Sequence, residues 1–227
     1  MGERISVAGR VFGQLVEDVL SGRYEPGEKL PAQRTLASEL DVNMAPVREA
    51  VKRLEQLGLV EVRQGDAMRV TDWRSTSGLD VIAHVLFAAG GLDRDTLAHL
   101  MEARRLMLAE SARLAATRRG DDQARRLRAL AYRIAEAPDA TAAQALDFAF
   151  FAELVEAAGN VVLMLVTNSI RRVYFERAEL FLPLVDTPRE LYGRAARAID
   201  RQQPSAAARA VHELAAAQER ALLRSLP

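Results

Sequence analysis

Met44, Arg48 and Lys52 recur at four-residue spacing in this chain of 227 residues. On a helix that spacing sets side chains along one stripe, so the three project together. Two cations on such a stripe suit a polyanion: guanidinium and ammonium groups pair with phosphates, and a guanidinium also reads a guanine edge. Val47, Ala50, Val51, Leu54 and Leu57 form a second, apolar stripe on the same segment. Nothing comparable exists for covalent or acid–base chemistry. His84, His99 and His212 are scattered, cysteine is absent, and no glycine-rich phosphate loop occurs, so an enzyme is not expected.

The elements that would hold this stripe are legible on either side. Leu36 and Leu40 share a face of a preceding helix, and Asp41-Val42-Asn43 breaks it. Asn43 is a good N-cap, Pro46 suits a first turn, and Gly58 suits a left-handed stop. Alone, this pair fits equally a helix-turn-helix or a helical hairpin with a solvated basic face. The residues after Gly58 shift the balance. Leu59–Arg63 alternates, Gln64-Gly65-Asp66 turns and Met68–Val70 alternates again, which predicts a hairpin, or wing, behind the cationic helix. Gly65 at its tip would let backbone approach a phosphate closely. A helix over Ser6–Ser21 and a Pro26-Gly27 turn precede all of this.

Charge alone does not point to nucleic acid. The chain is formally neutral, and residues 1–73 hold 10 Lys/Arg against 12 Asp/Glu, so attraction must come from local arrangement: Arg48, Lys52 and Arg53 on the helix, Arg63 and Arg69 on the wing. Hydrophobic content of 49% supports a sizeable core, while the wealth of Ala, Leu and Arg favours helices. There is no signal-peptide pattern and no apolar run of about 18 residues, so a cytoplasmic protein with no membrane partner is expected.

The reading is therefore mainly α, in two domains: 1–73 winged, 74–78 a polar linker, 79–227 an antiparallel bundle of six or seven helices. Trp73 reads as a wedge at the junction. Helices are predicted over Leu79–Leu86, Leu97–Arg118, from a cap at Asp121 or Asp122 to Ile134, and over Thr141–Ala158, Val161–Phe181, Pro188–Arg201 and Ser205–Leu226. Prolines fall at the boundaries. The pairs Arg104-Arg105, Arg118-Arg119 and Arg125-Arg126 fit a solvated face, or point inward to hold an anion.

Residues Tyr24 to Gly65 resemble the winged-helix domain of GntR-type bacterial transcription regulators. Pro26-Gly27, Leu30-Pro31, Arg34, Leu36-Ala37, Val42, Val47-Arg48-Glu49-Ala50, Leu54, Gly58-Leu59 and Gly65 carry the match. The resemblance implies DNA contacts from Arg34, Arg48 and Gly65. The full expected DNA-facing set is Arg34, Asn43, Met44, Ala45, Arg48 and Lys52, with Gln64 and Gly65 of the wing. Many relatives carry a guanine-reading arginine at Met44; methionine offers only apolar contact, such as a thymine methyl.

ARRLMLAESARLAA (103–116) and LDFAFFAELVEAAGNVVL (146–163) resemble, more loosely, the helical ligand-binding (FCD) domain of the FadR branch of that family. Many members hold a metal with an aspartate and three histidines. The equivalent positions here are Asp147, Phe151, Tyr192 and Leu214, a set unsuited to a first-row metal, so neither metal nor cofactor is expected. The substitutions predict a roomy apolar cavity. Arg104, Asp147, Phe151, Asn168, Arg171 and Tyr192 are the expected effector residues, with Phe148, Phe150, Phe175, Phe181 and Tyr174 nearby, each equally readable as core. The fatty-acid regulator that names the branch lacks the metal and answers to long-chain acyl-coenzyme A. The resemblance thus implies a homodimer on a two-fold operator, acting as a repressor relieved by an acyl-CoA or fatty-acid-like effector. A metal-free organic-acid sensor, or a bundle that only dimerises, stands as the alternative.

Overall fold

A computed structural model describes residues 6–63, 68–88 and 91–226. The chain divides into two compact units, Met1–Thr96 and Leu97–Pro227.

The first unit begins with α1 (Val7–Leu20), capped by Ser6, whose hydroxyl accepts from the Gly9 amide at 3.0 Å. α2 (Gln33–Glu39) turns through Asp41, which takes a φ of 50°, into α3 (Met44–Gln56). The apolar stripe of α3 is driven inward: Val47, Ala50 and Leu54 have no exposure and pack with Val11, Phe12, Leu15 and Val19 of α1. Burial of a valine- or leucine-sized side chain is worth ~1.5–3 kcal/mol, which sets the rotation of α3 about its axis and leaves its polar stripe outside. Asn43 occupies the N-cap position, with extended backbone, but its side chain makes no capping hydrogen bond, contrary to expectation.

The wing strands β1 (Val60–Glu61) and β2 (Arg69–Val70) pair antiparallel, Val60 opposite Val70, and Lys29 bridges to Arg69 on the far edge. They are shorter than the alternating runs predicted. The expected turn at Gln64-Gly65-Asp66 lies outside the described residues.

The expected linker at 74–78 is not a free tether. α4 (Trp73–Thr76) is capped by Asp72, and the Gly58 carbonyl accepts from the hydroxyls of Thr71 at 2.5 Å and Thr76 at 2.8 Å. Nor does the second unit begin at 79. Leu79–Val81 forms a 3-10 turn and α5 spans Ile82–Leu86; Val81 is buried in the core around α1, Val85 packs on it, and the His84 ring meets Phe12 edge-on at 5.4 Å. These apolar residues complete the first unit's core, so the boundary falls in the first turn of α6 (Arg94–Arg118).

The second unit carries seven α-helices among the described residues, α6 with α7 (Asp121–Ala135), α8 (Ala140–Ala157), α9 (Val161–Glu176), α10 (Ala178–Phe181), α11 (Glu190–Asp200) and α12 (Pro204–Ser225). Asp139 and Asn160 cap α8 and α9, and Pro204 opens α12. Gly120, not Asp121 or Asp122, caps α7, its amide donating to Gln123 Oε1 at 2.9 Å; the two aspartates sit in the first turn, where the helix dipole favours them. The single helix expected over Val161–Phe181 breaks at Arg177 (φ −123°, ψ 39°), and α10 with a 3-10 turn at Leu182–Val185 lets Phe181 and Leu184 point inward. The core joins Leu108, Leu127, Phe150, Leu154, Ile199 and Val211 with many alanines; Ala112, Ala115, Ala195, Ala207 and Ala215 are fully buried.

Gly58 has a φ of +70°, and a Cβ there would stand 2.7 Å from the Thr76 carbonyl oxygen. Gly58→Ala is therefore expected to destabilise the first unit by about 2 kcal/mol or more. A lowered urea midpoint, followed by fluorescence of Trp73, checks this.

Candidate nucleic-acid interface and ligand cavity

On the first unit, Arg34, Asn43, Ala45, Arg48 and Lys52 are all exposed. Among the described residues no carboxylate or carbonyl holds the Arg34, Arg48 or Lys52 side chains, so their donors face water. Met44 differs: it is half-buried against the core and does not project freely with Arg48 and Lys52. Its lack of charge lets the core claim it. The sequence assigns Arg53 to the cationic stripe, but its guanidinium lies 3.8 Å from the centre of the Phe12 ring. The wing cations are also engaged, Arg63 with Glu61 at 3.0 Å and Arg69 with the Gly27 carbonyl at 3.1 Å. The cationic surface of α3 thus narrows to Arg48 and Lys52. Gln64 and Gly65 lie outside the described residues.

In the second unit a cavity of about 60 Å³ lies among α6, α8, α9 and the α10 segment. Leu100, Met107, Phe148, Ile170, Phe181 and Leu184 make its walls apolar; Arg104 and Asp147 supply the charge. It is a narrow slot, not the roomy space predicted: one water needs ~10–15 Å³ on this measure, so it has room for a handful. Phe148, Phe151, Tyr174 and Phe181 fill the volume that smaller side chains would leave.

Asp147 is fully buried, and donors from three helices surround it. The Tyr192 hydroxyl and Gln218 Nε2 each donate to Oδ1 at 2.6 Å, and Tyr174 approaches Oδ2 at 3.4 Å. Gln218 also donates to the Tyr192 oxygen at 2.8 Å and accepts from Arg104 Nη1 at 3.0 Å. The Arg104 guanidinium stands over Phe151, 4.6 Å from its centre. Burial pushes the Asp147 carboxyl above its ordinary value, against the lowering effect of the Arg104 charge and the Tyr192, Gln218 and Tyr174 hydrogen bonds. Burial and the Asp147 charge raise both phenols, so they stay protonated and donate. A lone carboxylate ringed by phenol, amide and guanidinium donors does not offer the lone pairs a first-row metal requires.

Arg104, Asp147 and Phe151 line the same cavity. Tyr192 stands behind Asp147, not on the cavity wall. Asn168 and Arg171 do not line the cavity; Arg171 is exposed and instead covers the Phe148 and Phe175 rings at 5.7 and 5.8 Å. Phe150 is core, and Phe175 is largely outside. Leu214, matched by spacing to a ligand position, is buried in the core; Gln218, one turn further on, is the residue of α12 that meets Asp147. Sequence reasoning does not reach Thr167 or Gln218. A polar residue on an otherwise apolar face of the last helix is the available signal for Gln218. The remaining members of the three arginine pairs are spent on partners: Arg105 on Glu219, Arg118 on the Ala158 carbonyl, Arg119 on Asp121, Arg125 on Asp122 and Arg126 on Glu153.

A helix-turn-helix with a wing, followed by a helical domain, defines a DNA-binding regulator. Residues 7–70 match the gntR family of bacterial regulatory proteins, and residues 99–217 match the FCD domain. The HTH-type transcriptional regulator Mce2R of Mycobacterium tuberculosis is 40% identical over 171 residues, 75% of this chain and 71% of its own length. The fatty acid metabolism regulator protein of Edwardsiella ictaluri is 30% identical over 172 residues, covering 74% and 70%. The solved structure of Lar from Listeria monocytogenes, 16% identical, superposes with a TM-score of 0.61 over 99% of this chain and 100% of that one, a likeness of fold alone. The chain belongs to the GntR family of bacterial regulatory proteins, in its FadR-type branch with an FCD domain, and is a DNA-binding transcription regulator rather than an enzyme.

At Asp147 protons bind the folded chain more tightly than the unfolded one. The stability this group contributes is present below its ordinary value of 3.8 and is lost as pH rises through its raised folded value. Asp147→Asn should remove that slope: the wild-type urea midpoint falls relative to the variant's as pH rises above about 4.

Proposed function

We propose that this regulator binds a two-fold operator as a homodimer through α3, with Arg48 and Lys52 at its centre, and releases it when an organic anion enters the Arg104 cavity. A single recognition helix reads too few bases for genomic specificity, and two-fold proteins match two-fold sites. Arg34, Asn43, Ala45, Gln64 and Gly65 would add backbone and groove contacts, and Met44 an apolar one. The output is repression relieved by a metabolite, in the bacterial cytoplasm.

The observation that carries the ligand reading is Arg104: a guanidinium on the wall of a largely apolar cavity, hydrogen-bonded there to the Gln218 amide oxygen, while Asp147 beside it is already met by Tyr192 and Gln218. It suits a ligand with an apolar body and one anionic end. A fatty acid or acyl-coenzyme A has that form, and relatives named for fatty acid metabolism favour it. A second reading rests on the volume. About 60 Å³ favours a short-chain organic acid, and a long acyl chain would require the α9 wall to move outward.

Operator binding titrated with octanoate and with acyl-coenzymes A of increasing length tests both. An effector is expected to weaken operator affinity by about 5–150-fold. Arg104→Ala should abolish the response while leaving unliganded DNA binding intact. Unchanged affinity at saturating ligand rejects sensing and leaves a bundle that only dimerises. A length optimum at short chains selects the organic acid.

The DNA face has its own test. Arg48→Glu with Lys52→Glu should cost at least about a hundredfold in operator affinity, read by fluorescence anisotropy, while Arg53→Ala changes it by less than about threefold and lowers thermal stability instead.

A further inference from the structure

A second concave site has the opposite chemistry from the cavity: a groove of about 540 Å³ between α7 and α11. Its floor is Ala131, Ala135, Gly193 and Ala196, so nothing longer than a methyl group fills the space between the helices. At Gly193 the Arg197 guanidinium lies across the bare backbone, Nη1 standing 3.1 Å from where a Cβ would be.

Four arginines border the groove, against Glu190 and Asp200. Two are already used. Arg128 pairs with Asp200 at 3.1 Å, and Arg189 donates to the Ala135 and Ala137 carbonyls at the end of α7. Arg197 and Arg201, one turn apart at the end of α11, have no side-chain acceptor among the described residues. Arg197 and Arg201 also line, with Arg209, the adjoining depression toward α12, where Arg194 is paired with Glu213 at 2.8 Å. On the α7 side stands Tyr132, 68% exposed, with no ring partner among the described residues.

We propose that this groove binds a nucleotide-type ligand, its phosphates on Arg197 and Arg201 and its planar ring on Tyr132. Two guanidinium groups at helical i,i+4 spacing match adjacent phosphates, which arginine engages through paired N–H donors. A phenol standing free across a floor of small residues gives a planar base one face to stack on. The site differs from the Arg104 cavity in residues and in chemistry, and does not depend on the effector reading.

The test is calorimetric titration of the full chain with ADP, with pyrophosphate and with adenosine. ADP is expected to bind more tightly than pyrophosphate, and adenosine more weakly than either. Arg197→Gln with Arg201→Gln should weaken ADP and pyrophosphate by at least about tenfold. Tyr132→Ala should weaken ADP several-fold and leave pyrophosphate unchanged. These side chains border open solvent, and circular dichroism with a thermal melt confirms that each variant folds. No saturable ADP binding, or binding that persists in the double arginine variant and so resides elsewhere, such as at Arg48 and Lys52, overturns the proposal. Pyrophosphate binding as tightly as ADP overturns the part assigned to Tyr132.

Discussion

A carboxylate with no access to water has to be answered by its surroundings. Asp147 lies inside the second unit, and leaving such a group uncompensated costs several kcal/mol. Tyr192 from α11 and Gln218 from α12 meet it directly, while Arg104 from α6 reaches Gln218 and supplies the balancing charge. Each donor fixes the rotation of its helix. The ligand cavity is a consequence: its polar corner exists because several helices must aim at one carboxylate, and its apolar walls are what the remaining faces provide.

On the first unit the organising constraint is the division of α3 into two stripes. Val47, Ala50 and Leu54 are taken entirely by the core. Arg53 is drawn onto Phe12 and Met44 is half withdrawn, so only part of the segment's outward chemistry stays available. Formal neutrality is then less of a paradox: a small number of free cations at the right place matters more than the sum over the unit.

Much of this is legible in the residues. Gly58 after an apolar-periodic run marks the end of α3, and the alternation around Gln64-Gly65 marks two strands. The grouping of Arg104, Asp147, Phe151 and Tyr192 comes from the family resemblance, not from periodicity. What escapes is tertiary. Whether Val81 and Val85 join the first core or the second cannot be read from their periodicity, since both fates need the same apolar helix. Asn168 and Arg171 lie on the correct helix but one position past Thr167 and Ile170, which with Tyr174 make the face that lines the cavity, and no proline or glycine announces the break at Arg177. Gln218 is hidden by spacing, which favours Leu214 one turn earlier. The size of the cavity depends on aromatic rotamers that composition does not encode.

The second unit's interior is built largely on alanine, and this gives its tolerance to genetic drift a direction. Ala112, Ala115, Ala195, Ala207 and Ala215 have no exposed surface, so no side chain longer than a methyl group stands between the helices at these positions. Shrinking such a residue to glycine forfeits ~1 kcal/mol of helix preference but opens little empty space. Enlarging it to valine or threonine must wedge helices apart, at a typical cost of ~1–3 kcal/mol. Descendants of this sequence are therefore freer to lose atoms from this core than to gain them, and growth at one alanine has to be matched by shrinkage across the same helix pair.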